Sequence, residues 1–466
     1  MTVDYDAVVL GGTVQGRAAA ALAAREGARV ALVEPPGAVD RQIGRQVGLT
    51  ALAGAANTSG WGSLSNQISA LKAVAYPHLG LDGLAIRGVD VVLEPGQFSP
   101  RPQLAVTTLT RRLRSRGYLL APGTEVTIPD IPGLAETPYC TLDTLLKLEA
   151  LPESAIVLGR SGTAIALAQA LAHLGTATTL VSRGDRLLPT EDVDLAAFVA
   201  ALLEAAGVTL QLGTRLDAIH YKGGFDLALA SGEPLRAAAL VLATATHPSL
   251  EGLNLSRVGI QPHTSHGNTT LVPVDDRLAT AHPRVFACGP VLGGDWAETS
   301  DHQDVAIALR NLLYLPWRKF SPLNRPALLH TTPEYARLGL TAAQARRWYG
   351  STATVVQVPF GQVLKAHYGD DITGFCRWVV GDDGQILGAQ ICGPGASELM
   401  HTVALAVQQR LPLQRLERVP SLAPSLAAMV PAMVDSWQRQ RWHQGTWRRD
   451  WAENWFNWRR TRRRRF

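Results

Sequence analysis

Two glycine-bearing turns contain the residue types and spacing that could hold the phosphates of a dinucleotide. The first glycine turn, residues 11–16, contains Gly11, Gly12, Thr13 and Gly16. The second glycine turn, residues 159–164, contains Gly159, Ser161, Gly162 and Ala164. Both approximate the G-x-G-x-x-G spacing, with small residues replacing some of the glycines. In that pattern the backbone turns tightly and the N-terminus of the next helix points amides at a pyrophosphate.

Each turn lies inside a predicted strand–turn–helix–strand unit. Residues 6–10 and 28–34 are predicted strands around an alanine-rich helix at 17–26, and residues 155–158 and 178–182 flank a second such helix. Glu34 follows Gly11 by 23 residues, where a carboxylate can accept hydrogen bonds from ribose hydroxyls. Two such units predict two separate dinucleotide-binding folds.

Residues 354–359, 374–381 and 385–391 are further strand candidates, with helices at 397–409 and 426–437, which predicts an α+β domain. We therefore expect an α/β protein with two Rossmann-like dinucleotide-binding domains, an α+β C-terminal domain and a basic, Trp-rich tail. The predicted boundaries are 1–150 and 271–324 for the first nucleotide domain, 151–270 for the second, 325–436 for the third and 437–466 for the tail.

The cysteines and the hydropathy indicate a cytoplasmic protein. The four cysteines, at positions 140, 288, 376 and 392, have no Cys-x-x-Cys spacing, which predicts neither a disulfide framework nor a thiolate metal site. No apolar run approaches the roughly 18 residues of a membrane span, and the acidic N-terminus excludes a signal peptide.

Further motifs carry a resemblance to a known family. They are Ile-Pro-Gly-Leu at 131–134, the segments 274–278 and 284–289, and the segments 332–336 and 339–341. With the two glycine turns, they resemble the pyridine nucleotide-disulfide oxidoreductase family over residues 3–434. The resemblance implies FAD in the first fold, with Gly289 in the second FAD motif, a nicotinamide cofactor in the second fold, and a homodimer formed by the third domain.

The nicotinamide cofactor is predicted to be NADPH. The strand after the second glycine turn ends without an acid, and Ser182, Arg183 and Arg186 follow instead. A hydroxyl and two guanidinium groups suit a 2′-phosphate. The alternative interpretation is that these arginines are solvated loop charges.

The residues that the family uses for disulfide chemistry are missing. The resemblance implies a Cys-x4-Cys disulfide, but residues 42–51 contain no cysteine. It also implies a histidine–glutamate pair near the C-terminus, an aspartate after Gly289 and a glutamate near the nicotinamide. The matching residues here are, in that order, Ala423, Ala428, Pro290 and Ala166.

These departures predict an FAD-dependent NAD(P)H oxidoreductase that passes electrons to a quinone or a protein redox partner near a membrane. Disulfide and mercuric-ion reduction are excluded because no dithiol lies beside the flavin. The alternative is a catalytically degenerate reductase fold that acts as a dimeric scaffold or a binding protein through its tail. No catalytic acid or base is identified.

The tail, residues 437–466, contains six of the eleven tryptophans and ten arginines against Asp450 and Glu453. It carries +8, so that the rest of the chain carries about −3 of the total +5. As a helix it would place Trp447, Trp451, Trp455 and Trp458 on one side. This pattern suits an anionic membrane surface, and then an acidic membrane protein complex, with nucleic acid less favoured. Alternatively, the tryptophans fold back on the body.

Overall fold

The computed structural model describes residues 3–57, 60–230, 232–264, 270–293, 303–420, 422–444 and 446–461. The chain divides into two compact units, Met1–Thr332 and Pro333–Phe466. Within the described ranges no helix is both long enough and apolar enough to cross a membrane.

The first stretch of the chain contains a βαβ unit followed by short helices and strands. Its strands are β1 (Tyr5–Leu10), β2 (Val30–Val33), β3 (Asp90–Val92), β4 (Gln97–Ser99), β5 (Ala105–Thr107), β6 (Arg112–Leu113), β7 (Ser115–Leu120) and β8 (Thr124–Val126). Its helices are α1 (Val14–Arg25), α2 (Ala38–Ala53), α3 (Trp61–Val74) and α4 (Leu81–Ile86).

The next stretch repeats the βαβ pattern and adds an antiparallel meander. Its strands are β9 (Cys140–Thr141), β10 (Ser154–Leu158), β11 (Ala177–Val181), β12 (Thr209–Gln211), β13 (Leu216–Tyr221), β14 (Phe225–Leu229), β15 (Leu235–Ala237), β16 (Ala239–Leu242) and β17 (Thr246–Pro248). Its helices are α5 (Leu142–Leu145), α6 (Gly162–His173) and α7 (Val193–Ala205).

The remainder of the first unit returns to the first sheet. It contains β18 (His263–Thr264), β19 (Thr270–Leu271), β20 (Val285–Ala287), β21 (Ala327–Leu329) and α8 (Gln303–Leu313). Strand β20 pairs with β7 and completes a parallel sheet in the order β20-β7-β1-β2-β3. A second parallel sheet has the order β12-β11-β10-β16-β9.

Both parallel sheets place their glycine turns at the carboxyl end of a central strand. The residues of β1 from Ala7 to Val9 and those of β10 from Ala155 to Val157 are almost completely buried. Strands covered on both faces are apolar throughout, which explains why these segments read as continuous hydrophobic runs. The carboxyl ends of such strands are where open α/β sheets bind ligands.

The second unit is an α+β structure. Its strands β22 (Tyr335–Gly339), β23 (Ala353–Pro359), β24 (Phe375–Gly381) and β25 (Ile386–Cys392) are antiparallel in the order β22-β25-β24-β23. Its helices are α9 (Ala342–Tyr349), α10 (Leu364–Tyr368), α11 (Ala396–Gln408), α12 (Leu413–Leu416), α13 (Met429–Gln444) and α14 (Thr446–Thr461).

The boundary predicted at residue 437 falls inside α13. Trp437 is only 2% exposed, and the guanidinium of Arg441 lies 4.7 Å from the centre of its ring. Met433, one turn earlier, is also buried, so the apolar face of α13 continues into the segment that composition assigned to the tail. In α14, by contrast, the described side chains from residue 450 to 461 are exposed, with the exception of Ala452.

Substitution at Trp437 tests whether α13 belongs to the core. We expect Trp437→Ala to lower the free energy of unfolding by about 3–5 kcal/mol, because it removes a large buried side chain. Trp442→Ala is the matched control, since Trp442 lies on the same helix and is 47% exposed. The measurement is urea unfolding followed by far-ultraviolet circular dichroism. Equal effects of the two substitutions would contradict the assignment of Trp437 to the core.

Candidate functional site

The first glycine turn joins β1 to α1 and at two positions packs too closely against the backbone for a side chain. Gly11 has φ +117°, and a Cβ there would lie 2.0 Å from the carbonyl oxygen of Ala121. A Cβ at Gly16 would lie 2.0 Å from the carbonyl oxygen of Gly11. Glycine is therefore required at both positions by close backbone contacts.

Thr13, which stands where the motif has its middle glycine, caps helix α1. Its Oγ1 accepts a hydrogen bond from the Gly16 amide at 3.0 Å and donates one to the Ala121 carbonyl at 3.1 Å. Its side chain is buried. The threonine thus satisfies an amide of the first helical turn and fastens it to the end of β7.

The second glycine turn is built in the same way. Ser161 caps α6, accepting from the Ala164 amide at 3.2 Å and donating to the Ala243 carbonyl at 2.7 Å. Gly159 has φ +149°, and a Cβ there would lie 2.2 Å from the same carbonyl oxygen. Gly162 is the first residue of α6. The two predicted dinucleotide sites therefore share one backbone design.

Glu34, the predicted ribose acceptor, is held by another side chain. It is 1% exposed, and its two carboxylate oxygens accept from Arg17 Nε at 3.0 Å and from Arg17 Nη2 at 2.5 Å. Arg17 Nη1 donates to the carbonyl of Leu79 at 3.0 Å. Sequence reasoning missed Arg17. The available signal was that it is the only charged residue between positions 14 and 24 of an alanine-rich helix.

A side chain from α2 reaches the N-terminus of α1. The amide of Val14 donates to Gln42 Oε1 at 2.6 Å, and Gln42 Nε2 donates to Gln15 Oε1 at 2.7 Å. The Val14 amide belongs to the first helical turn, whose amides would face a pyrophosphate. Gln42 was not among the predicted site residues.

The segment predicted as the second FAD motif is held by a hydrogen bond to a buried aspartate. Gly289 has φ +79°, and its amide donates to Asp304 Oδ2 at 2.7 Å. Asp304 is 2% exposed. Burial raises the pKa of the neighbouring Cys288 thiol well above its ordinary value, and the negative charge of Asp304 adds to the shift. Burial lowers the pKa of Arg325, and Asp304 partly opposes that change.

A cavity of about 890 Å³, the main cavity, lies beside the first glycine turn. Four residues at the carboxyl ends of β1 and β2 border it: Gly11, Gly12, Val33 and Pro35. Four polar residues of α2 form another wall: Arg41, Gln42, Arg45 and Gln46. Pro290 and His330 also line it, and no cysteine does among the described residues. Arg45 is paired with Asp143 through two hydrogen bonds of 2.8 and 2.6 Å.

The structure adds Arg160 to the cations that the sequence predicted at the second glycine turn. Ser182 is buried, and its Oγ accepts from the Gly184 amide at 3.1 Å. Arg186 Nη2 donates to the Pro189 carbonyl at 2.5 Å, whereas Arg183 is exposed. Arg160 lies over Gly184, where a Cβ would come within 2.2 Å of its Nη1. Arg160 and Arg183 are exposed near this turn, and Arg186 is partly exposed.

The positions of the missing catalytic groups are occupied by small apolar residues. Ala166 is buried in α6, and Ala423 is exposed before a cis peptide bond to Pro424. Ala428 ends a short helical turn at Leu426–Ala428. None of these side chains can transfer a proton. Among the described residues no cluster of His, Cys, Asp or Glu could hold a metal ion.

Comparison with known proteins gives matches along most of the chain. Residues 5–308 match the pyridine nucleotide-disulphide oxidoreductase family, and residues 325–434 match the dimerisation domain of that family. The mercuric reductase of Staphylococcus aureus is 27% identical over 448 residues, covering 91% of this chain and 80% of that protein. The mercuric reductase of Acidithiobacillus ferrooxidans is 32% identical over 305 residues, covering 64% of this chain and 53% of that protein. The chain thus spans about half the length of this second relative.

Two solved structures share the fold. The Cu(II) complex of the HOCl-induced flavoprotein disulfide reductase RclA from Escherichia coli superposes with a TM-score of 0.81 at 24% identity. LpdA from Mycobacterium tuberculosis superposes with a TM-score of 0.82 at 21% identity. Each comparison covers 92% of this chain and 99% of the other. The fold class and the resemblance predicted from the sequence are confirmed, and the chain belongs to the pyridine nucleotide-disulphide oxidoreductase family.

Proposed function

We propose that this chain is an FAD-dependent, NADPH-oxidising flavoprotein whose electron acceptor is not a disulfide. The observation that carries the proposal is the main cavity, which borders the first glycine turn and is lined, within the described part of the chain, by no thiol. A quinone or a protein-bound redox centre fits as acceptor, because a flavin supplies hydride or single-electron transfer without a dithiol. The relatives are named as mercuric reductases, and RclA is named as a disulfide reductase. We do not propose these acceptors for this chain, because no thiol lines the described part of its main cavity.

The position and volume of the main cavity support FAD as its ligand. Gly11 and Gly12 border the cavity, and Val33, the last residue of β2, and Pro35 provide apolar contact. The volume of about 890 Å³ is in the range of sites that enclose whole cofactors. These residues would hold the adenosine and pyrophosphate end, and Pro290 borders the same cavity.

The thiols of the chain are unsuited to exchange with a disulfide. Burial raises the pKa of Cys140, and burial together with the charge of Asp371 raises the pKa of Cys392 to about 12. Burial also raises the pKa of Cys376 and of Cys288. Thiol–disulfide exchange needs a thiolate, which these environments disfavour at neutral pH.

NADPH is proposed as the electron donor on the basis of two exposed arginines. Arg183 follows β11, and the guanidinium of Arg160 lies over Gly184 in the same loop. A 2′-phosphate between these groups would gain charge-assisted hydrogen bonds. Arg186 and Ser182 take part less directly, since both are engaged with nearby backbone.

Attachment to an anionic membrane surface is proposed for α14. The rings of Trp451 and Trp455 stack at 5.9 Å, and those of Trp455 and Trp458 stack at 5.1 Å. All three are more than 40% exposed, and Arg459 and Arg460 lie in the last turn. Exposed indoles beside arginines suit the headgroup region of an anionic bilayer. An acidic membrane protein complex is the second candidate, and nucleic acid ranks last.

A dimeric scaffold without redox activity is the alternative function. It is favoured by the Arg17–Glu34 pair, which engages the predicted ribose acceptor, and by the small residues Ala423 and Ala428 at the predicted acid–base positions. We propose a homodimer through residues 325–434 in either case. The two functions differ in whether NADPH reduces an added acceptor when FAD is supplied.

The first test of the proposed function is spectroscopic and kinetic. We expect the full-length protein, supplied with FAD, to show flavin absorbance shifted by binding and to reduce a water-soluble benzoquinone with NADPH. Oxidised glutathione, lipoamide and mercuric ion should give no turnover above the background, because no dithiol is available. Binding of FAD without quinone reduction would favour the scaffold, and turnover of a disulfide would contradict the proposal.

Cofactor preference is tested at Arg183. We expect Arg183→Gln to weaken NADPH binding roughly tenfold to hundredfold, the equivalent of one charge-assisted hydrogen bond, and to leave NADH binding unchanged. Arg186→Gln is the matched control, because Arg186 donates to the Pro189 carbonyl, and it should change NADPH affinity less. Fluorescence titration with both dinucleotides measures the effect. Equal affinities of the parent protein for NADPH and NADH would refute the assignment.

Membrane attachment is tested by truncation after Gln444, so that α13 stays whole. The removed residues 445–466 carry eight arginines against Asp450 and Glu453. Each arginine near an anionic surface contributes about 1 kcal/mol, so truncation should abolish co-sedimentation with phosphatidylserine-containing vesicles. Replacing Trp451, Trp455 and Trp458 by serine should leave binding at low salt but make it fully releasable at 1 M salt. Sedimentation of the truncated chain with these vesicles would show that the attachment lies elsewhere.

A further inference from the structure

We infer that FAD is an exchangeable ligand of this chain rather than a permanently held prosthetic group, because the protein's own side chains already occupy the groups that would bind it. The inference rests on the proposed function and concerns how strongly the main cavity holds the cofactor. It follows from three sets of contacts around the first glycine turn and the Gly289 segment.

Gln42 competes with a diphosphate for the N-terminus of α1. Its Oε1 lies 2.6 Å from the Val14 amide nitrogen, and its Nε2 is fixed by Gln15 at 2.7 Å. Gln42 also lines the main cavity, so a phosphate oxygen reaching this amide must displace it. The hydrogen bond gained by the ligand is then offset by the one that the protein loses.

Arg17 competes for the carboxylate of Glu34. The pair is buried, with Arg17 6% and Glu34 1% exposed, and both carboxylate oxygens accept from the guanidinium. Glu34 does not line the main cavity, whereas Gly12 next to it does. Because Glu34 is almost completely buried beneath Gly12 and shares its charge with Arg17, it is a less accessible and weaker acceptor for a ribose hydroxyl than an exposed carboxylate would be.

The Gly289 segment offers few hydrogen-bonding groups that could compensate for these contacts. The Gly289 amide is bound by Asp304 at 2.7 Å. Pro290 lines the cavity but has neither an N–H nor a polar side chain. With Gln42 on the Val14 amide and Pro290 in place of a polar residue at the Gly289 segment, we expect FAD to be lost when the protein is desalted into buffer without flavin.

The experiment is a calorimetric titration of the full-length protein with FAD, comparing two substitutions of Gln42. Gln42→Ala should tighten FAD binding about three- to tenfold, because the Val14 amide is left for the diphosphate. Gln42→Glu should weaken binding at least tenfold, because a carboxylate holds the amide more strongly and repels the phosphates. Gln46→Ala is the matched control, since Gln46 lies one turn further along α2 and also lines the cavity. It should change the affinity less than twofold.

A second variant tests the contact between Arg17 and Glu34. Arg17→Met leaves Glu34 without its buried partner, so it should lower the melting temperature of the ligand-free protein. It should also enlarge the increase in melting temperature that a fixed concentration of FAD produces, because Glu34 is released. If Arg17→Met does not fold, the Gln42 and Gln46 variants still decide the inference.

The outcomes separate this inference from the proposed function. Retention of one FAD per chain through desalting by the parent protein would overturn the inference and leave the proposed function standing. Equal tightening by Gln42→Ala and Gln46→Ala would also overturn it, because the gain would then come from a larger cavity. No binding of FAD by any variant at millimolar concentration would overturn both.

Discussion

The hydroxyl groups of Thr13 and Ser161 connect three elements at each glycine turn, and the geometry of both predicted dinucleotide sites depends on them. Each hydroxyl caps the first turn of a helix and donates to the carbonyl at the end of a neighbouring strand, Ala121 or Ala243. The helix N-terminus is thereby fixed against the sheet edge. Gly11 and Gly159 approach the same two carbonyls so closely that neither position has room for a side chain.

Other polar groups of the first site are also hydrogen-bonded within the protein. An N-terminus of a helix and a carboxylate at a strand end are groups that a dinucleotide can use, but here Gln42 and Arg17 already use them. Buried polar groups must have partners, and a chain that supplies them itself gains stability without a cofactor. The consequence for function is that ligand affinity becomes a difference between two sets of hydrogen bonds.

The residues that the proposed function treats as missing lie in separate parts of the chain. The region that would hold the dithiol forms the polar wall of α2, and the four thiols lie in environments that raise their pKa. The positions predicted for an acid–base pair hold Ala423 and Ala428. Both glycine turns are retained, and dinucleotide binding in this pattern uses the backbone of such turns and not the replaced side chains. This separation between binding and thiol chemistry is the basis of the proposed function.

The sequence by itself determined the two βαβ units, the family and the α+β character of the second unit. Hydrophobic runs, glycine spacing and alanine-rich helices are local patterns, and they correctly located β1, α1, β10 and α6 to within a few residues. Only the tertiary structure decided that Arg17 holds Glu34, that Gln42 reaches Val14 and that Trp437 is buried. The contact between Arg17 and Glu34 spans 17 positions of the sequence, and the contact between Val14 and Gln42 spans 28. Burial of Trp437 depends on which face of α13 meets the core. Side-chain partners of this kind are set by packing between elements, which no periodicity within one element encodes.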